Sequence, residues 1–173
     1  MPAMLIQDLT NELQKLSGLS ASTPKTSTLQ TADPRNPAET MEVQLDFLVV
    51  DQLSCALEEL RLNVPSLSQA GPDLLSDWAK ALCQRITYLL EGLGPLEFEP
   101  EAGAILIRSA VPAQNASKRV FYEVLLQANA NGSFSLKRYE SVKGQPGRTA
   151  VNLQLTHEVL TKLVGDLVDT IPV

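Results

Sequence analysis

Apolar side chains recur along this chain at two spacings, and the spacing changes near residue 95. Leu5, Leu9, Leu13 and Leu16, with Ile6 beside them, make one stripe at helical period over residues 3–17. Gln7, Asp8, Asn11, Glu12 and Lys15 take the other faces, and Gly18 follows as a helix stop. Met41, Leu45, Leu48, Val49, Leu53, Ala56, Leu57 and Leu60 continue a helical stripe to about Leu62. Asn36, Pro37 and Glu39 stand before it as N-cap, N1 and N3. A rival pattern overlaps this one, because Met41, Val43, Leu45, Phe47 and Val49 alternate as in a strand. The capping signal and the length of the stripe favour one helix over 37–62, ended at Val64-Pro65. Another helix over 72–92 opens at Gly71-Pro72-Asp73 and carries Leu74, Leu75, Trp78, Ala81, Leu82, Ile86 and Leu89 on its inner face. Gly92 and Gly94-Pro95 stop it.

From there the period is two. Strands are expected at 96–99, 104–111, 119–129, 133–141 and 151–155, followed by a helix over 157–170 capped by Thr156. Asn131-Gly132 is the strongest hairpin signal. Val120, Tyr122, Val124 and Leu126 share a face with Phe134 and Leu136 only if even positions oppose even positions. A three-residue loop, Ala130 to Gly132, meets that condition, pairing Asn129 with Ser133 and Leu126 with Leu136, with Gly132 in the left-handed region. One core is expected to hold Trp78, Leu82, Ile86, Val124, Leu126, Phe134, Leu163 and Leu167.

Between the first two helices lies a stretch of different character. Residues 20–40 contain three Ser, five Thr and three Pro, with Leu29 the one strongly apolar side chain. Such a segment buries too little to fold alone and reads as a linker. The organisation is then an N-terminal amphipathic helix in 1–18, a Ser/Thr/Pro-rich linker over 19–36, and an α+β domain over 37–173. That domain places its helices on one face of an antiparallel meander of about five strands, in the order α-(linker)-α-α-β-β-β-β-β-α.

Composition narrows the function classes. The 173 residues include 14 Lys+Arg, 20 Asp+Glu, one His and two Cys, for a net charge of −6. That balance argues against nucleic acid as a partner, since such binding draws on phosphate neutralisation. One His and two Cys are too few for an ordinary zinc site, and neither a cofactor nor a metal is expected. The N-terminus lacks a basic, apolar signal pattern, and the longest apolar run, Phe47 to Val50, is far short of a membrane span. A cytoplasmic protein that binds no membrane is the expectation, with Cys55 and Cys83 as free, core-facing thiols.

No phosphate loop, nucleophile elbow, HExxH or CxxC is present. Lys143-Gly144-Gln145-Pro146-Gly147-Arg148 lacks the ending of a phosphate loop and reads as a surface loop between strands. His157, alone at a helix start, is a weak candidate for catalysis. Glu97, Glu99 and Glu101 share one face at spacing two and could hold a hard cation, but charge on an edge strand that blocks edge pairing is the simpler reading.

Two features rise above this background. Residues 1–103 carry a net −9 and residues 104–150 a net +5, which makes an acidic helical layer and a basic sheet. The sheet face turned from the helices then gathers Leu106, Arg108, Arg119, Phe121, Leu125, Lys137 and Tyr139, an interface composition of aromatic and aliphatic groups ringed by cations. The leading expectation is a non-enzymatic interaction domain, an adaptor or self-assembling protein. Its partner would be another protein or a second copy, as a homodimer. A small-ligand-binding or hydrolytic domain with a pocket between helices and sheet is the first alternative. In size, acidity and α+β content the chain also resembles the secretion chaperones of the type III class, without a shared motif and with a different element order. That likeness implies binding of extended client segments.

Overall fold

The alternation that begins at Met41 decides the architecture. Met41, Val43, Leu45 and Phe47 are all fully buried, and residues Thr40–Val50 form a strand. The structure is a computed structural model that describes residues 3–89, 93–99, 103–109, 113–114, 117–128 and 132–173. In chain order the elements are α1 (Ala3–Lys15), β1 (Leu19–Ala32), β2 (Thr40–Val50), β3 (Ser54–Asn63), α2 (Pro72–Arg85), β4 (Leu93–Glu99), β5 (Ala104–Ser109), β6 (Ala113–Gln114), β7 (Lys118–Gln127), β8 (Ser133–Val142), β9 (Thr149–Val151), β10 (Leu153–Thr156) and α3 (His157–Asp169). A short 3₁₀ turn, Pro65–Leu67, lies between β3 and α2.

The ten strands among the described residues join one antiparallel sheet in the order β1-β2-β3-β8-β7-β5-β4. β10 adds to β3, β6 to β7 and β9 to β8. The α+β class and the antiparallel sheet are as expected. The strand count is twice the expected five, and the element order differs.

Register explains how one core forms. Leu29, Val43, Leu62, Phe134, Leu126 and Ile105 are successive cross-strand partners, so one apolar row runs from β1 to β5. Leu5, Leu9 and Leu13 of α1, Trp78 and Leu82 of α2, and Leu163 and Leu167 of α3 are buried in the same cluster. All eight side chains expected in the core are there. Trp78 tilts against Phe134 with ring centroids 6.1 Å apart and donates its indole N–H to Thr170 Oγ1 at 3.3 Å. The next residues along each strand face the other way, as the period of two requires.

Four expectations are corrected. Residues 37–62 are not one helix but β2, a turn and β3. Asn36 does take up its side-chain role, accepting from the Ala38 N–H at 3.3 Å, while its carbonyl accepts from Glu39 N–H at 2.9 Å. An Asn that reaches two residues on can cap a helix or close a turn, and here the β-branched and aromatic alternation selects the turn.

The segment read as a linker is β1. Its residues Lys25 to Ala32 pair with Thr40 to Phe47 of β2. An edge strand needs ladder hydrogen bonds and little burial, which Thr-rich sequence supplies. Pro24 falls in the irregular stretch between Ser20 and Lys25, where its missing N–H costs no ladder bond.

The β7–β8 hairpin keeps the expected parity but is displaced by two. Gln127 opposes Ser133 and Leu126 opposes Phe134. A shift of two preserves the faces, whereas a shift of one would invert them. Residues 129–131 lie outside the described residues. Gly132 has φ +63, as expected of the hairpin glycine, and donates to Ala128 O at 3.0 Å. Its own carbonyl accepts from Val64 N–H at 3.1 Å, a tertiary contact that sets where the turn closes.

α2 is shorter than the expected 72–92: it ends at Arg85, because Ile86 adopts an extended conformation and buries its side chain. Pro72 at the first helical position and Thr156 as the cap of α3, accepting from Val159 N–H at 3.1 Å, are as expected.

Candidate functional site

The outward row of the sheet is polar from β1 to β8 and apolar at β7 and β5. Thr28, Gln44, Arg61, Ser135, Leu125 and Leu106 are successive cross-strand partners from β1 to β5. One step along, Lys137 opposes Glu123, and Glu123 opposes Arg108. One further step brings Phe121 opposite Tyr139, and Tyr139 opposite Ala150 of β9.

These registers place all seven patch residues on one surface. Leu106 neighbours Leu125, Arg108 and Lys137 flank Glu123, and Phe121 stacks on Tyr139 with centroids 6.0 Å apart at 29°. Arg119 is exposed on β7, two residues before Phe121. Leu106, Phe121, Leu125 and Tyr139 are half-buried, so each keeps part of its surface in water.

The charges are organised around two carboxylates. Glu123, 8% exposed, accepts both arms of the Arg148 fork, one of them Nη2 to Oε1 at 2.8 Å, and Arg108 Nε at 3.3 Å. The Arg148 guanidinium also lies 4.1 Å above the Tyr139 ring. Asp46 accepts Arg61 at 2.6 and 3.0 Å and the Thr26 hydroxyl at 2.6 Å. Burial pushes the Asp46 pKa up, but the Arg61 fork and Thr26 outweigh it and hold the carboxyl below its ordinary range. Arg61 also bonds Glu59 at 3.0 Å, and Lys137 approaches Glu59 at 3.9 Å.

A helix over 37–62 hides Asp46, Glu59 and Arg61 as residues of the sheet surface. The signal was present in Glu42, Gln44 and Asp46, which alternate with Met41, Val43 and Leu45. The expected split into acidic helices and a basic sheet fails for the same reason. Glu42, Asp46, Glu58 and Glu59 lie in β2 and β3, in the same sheet as the bases.

A shallow trough of about 370 Å³ runs along this face, with Glu59, Arg61 and Asn63 on one side and Leu125, Tyr139 and Arg148 on the other. A second concavity of about 460 Å³ lies between α1, the β2–β3 turn and the start of α3. It is lined by Thr10, Gln14, Asp51, His157, Glu158 and Thr161 among others, and the His157 Nε2 sits 3.2 Å from Ser54 O. The lone histidine thus fastens the turn to α3.

The remaining candidates carry little chemistry. Glu97 and Glu99 belong to the edge strand β4, with their side chains outside the described residues, as is Glu101. Among the described residues no group of three or more His, Cys, Asp or Glu could hold a metal. Cys55 is buried and its thiol is pushed up to about 12 by desolvation, which suppresses the thiolate. The 143–148 segment is an exposed loop joining β8 and β9, as expected. Among the described residues no helix is long and apolar enough to cross a membrane. Neither a protein-family model, nor a curated protein, nor a solved structure matches the chain.

Proposed function

We propose that the chain is a non-enzymatic, self-assembling interaction domain whose outer sheet face meets the same face of a second copy. The observation that carries this reading is the stacked pair Phe121–Tyr139, set with Leu106 and Leu125 on a face whose two halves differ in charge. Among the described side chains of the outward face, the β1–β3 half has Glu42, Asp46 and Glu59 against Arg61. The β5–β9 half has Arg108, Arg119, Lys137 and Arg148 against Glu123. A two-fold axis parallel to the strands, passing between β3 and β8, lays the acidic half of one copy over the basic half of the other. Such an arrangement is self-complementary and closed, as a homodimer requires. Desolvated aromatic groups would supply most of the affinity, and the charges would steer the encounter and fix its register.

The double substitution Phe121→Ser and Leu125→Ser tests the reading by sedimentation velocity. Both side chains point away from the core, so the fold should survive while the dimer dissociates. A folded variant whose association is unchanged sinks the reading. An unfolded one means these side chains belong to the core.

A small-ligand function is the second reading, supported by the polar concavity at His157. A thermal shift on adding a metabolite mixture, lost in a Thr161→Trp variant that fills the concavity, would favour it.

A further inference from the structure

The loop between β8 and β9 ends at Arg148, whose side chain reaches across the outer face to Glu123. Residues 143–148 are all exposed, and Gly144 and Gly147 hold φ +85 and +76 with nothing within 4 Å of where a Cβ would stand. These glycines let the strap turn back while standing clear of the body. Its backbone is tied at its start, by Lys143 N–H to Ser117 O at 2.9 Å and Gln145 N–H to Val142 O at 3.1 Å. At its far end the Arg148 side chain reaches the sheet, forked on Glu123 and lying over the Tyr139 ring at 4.1 Å.

We propose that Arg148 is a removable cap on the contact face, an inference that rests on the self-assembly reading above. The guanidinium covers the aromatic ring that reading makes the anchor. An exposed strap with few buried contacts opens at low cost, so the cap lifts without unfolding the sheet. A second copy must displace the Arg148–Tyr139 contact before it can bury the ring. The cap therefore holds the free protein in a weakly associating state, and lifting it exposes the Tyr139 ring beside Phe121. Glu123 keeps Arg108 as partner when the cap lifts, so the buried carboxylate is not left alone.

The test uses two variants of the full chain. Arg148→Ser removes the cap. Arg148→Lys keeps the charge but loses the planar fork, and so separates covering from electrostatics and guards against a misfolded serine variant. Tetranitromethane nitration of Tyr139, resolved by peptide mass spectrometry, reads the cap without any partner. Both variants should nitrate Tyr139 severalfold faster than the parent, and self-association should tighten by about tenfold in Arg148→Lys, which keeps the charge facing the acidic half, and by less in Arg148→Ser, which loses it. An unchanged nitration rate overturns the cap, and so does faster nitration with association unchanged or weaker. The self-assembly reading itself is judged by the Phe121→Ser, Leu125→Ser pair placed in the Arg148→Lys background. If that triple variant still associates tightly despite the serines, the face is wrong even though the cap is real.

Discussion

Ser66 donates both its backbone N–H and its hydroxyl to the carboxylate of Asp33, at 3.0 and 2.9 Å. Arg35 N–H adds a third bond at 2.8 Å, and Asp33 is fully buried. One side chain thereby fastens the β1–β2 loop to the 3₁₀ turn after β3. Asp33→Asn would set an amide against donors that need an acceptor. It should lower stability by about 1–3 kcal/mol, read from urea unfolding, because buried donors would be left unpaired. A loss under about half a kilocalorie would mean water replaces the carboxylate there.

Asp33, Asp46 and Asp166 should together set the acid limit of stability. At Asp166, burial raises the pKa, but the Tyr88 hydroxyl at 2.8 Å, Lys162 at 3.2 Å and Arg85 at 2.9 Å outweigh it and hold the carboxyl low. At Asp33, burial again raises and the Ser66 and Arg35 bonds prevail. Each group titrates lower in the folded chain than in the unfolded one. Its contribution is therefore complete above about pH 4, the unfolded value, and is lost as pH falls through the folded value. Urea midpoints should be flat from pH 7 to 5 and drop below 4, and Asp166→Asn should shallow that drop. A midpoint that rises toward low pH would reverse the sign and refute the assignment.

Gly132 and Gly144 separate two costs of adding a methyl group. Both have positive φ, but a Cβ on Gly132 would stand 2.2 Å from Val64 O and 2.7 Å from Leu67 Cβ, while one on Gly144 meets nothing within 4 Å. Gly144→Ala should carry only the backbone strain, about 1 kcal/mol. Gly132→Ala adds a backbone clash and should cost at least about 2 kcal/mol more, seen in thermal unfolding. Equal effects would place the turn elsewhere than against Val64.

What was legible in the sequence depended on how local its cause was. Thr156 and Pro72 act within one turn of their own helices, and Gly132 within its own hairpin, so their roles could be read directly. Asn36 acts locally too, but a cap and a turn use the same side-chain bond, and only the alternation that starts at Met41 distinguishes them. The fate of Ser20 to Ala32 was not local at all. Its low apolar content is that of a linker unless β2 stands beside it, and the capping signal at Asn36 points to a helix in place of β2. The seven patch residues follow from alternation within β5, β7 and β8 and therefore fell together. Their carboxylate neighbours Asp46 and Glu59 come from strands that alternation alone would have found, had the capping signal not been weighed above it.

The core reading has its own test. Leu126 and Leu163 are fully buried on opposite layers, one on β7 and the other on α3. Truncating either to Ala should cost about 2–5 kcal/mol by equilibrium unfolding, the sum of lost transfer energy and a residual cavity. Less than a kilocalorie at both would mean the layers do not close on each other.

Arg119 offers the cleanest electrostatic test of the contact face. It is exposed, on the same face as Phe121, and two positions from the aromatic pair. Arg119→Glu should leave monomer stability within about half a kilocalorie, as for an ordinary surface change. In the proposed dimer it turns a cation that faces the acidic half of the second copy into a like charge. Association should weaken, mainly through a slower on-rate, and its dependence on salt should become shallower, because fewer favourable charge contacts remain to be screened. The parent should associate most tightly at low ionic strength and lose affinity steadily as salt rises toward about 0.5 M, where screening shortens to a few ångströms. Sedimentation velocity across a salt series, run on parent and variant side by side, separates the outcomes. If the parent's association strengthens with salt, or Arg119→Glu changes nothing, charge does not govern the contact. The two halves of the face would then not be set against each other.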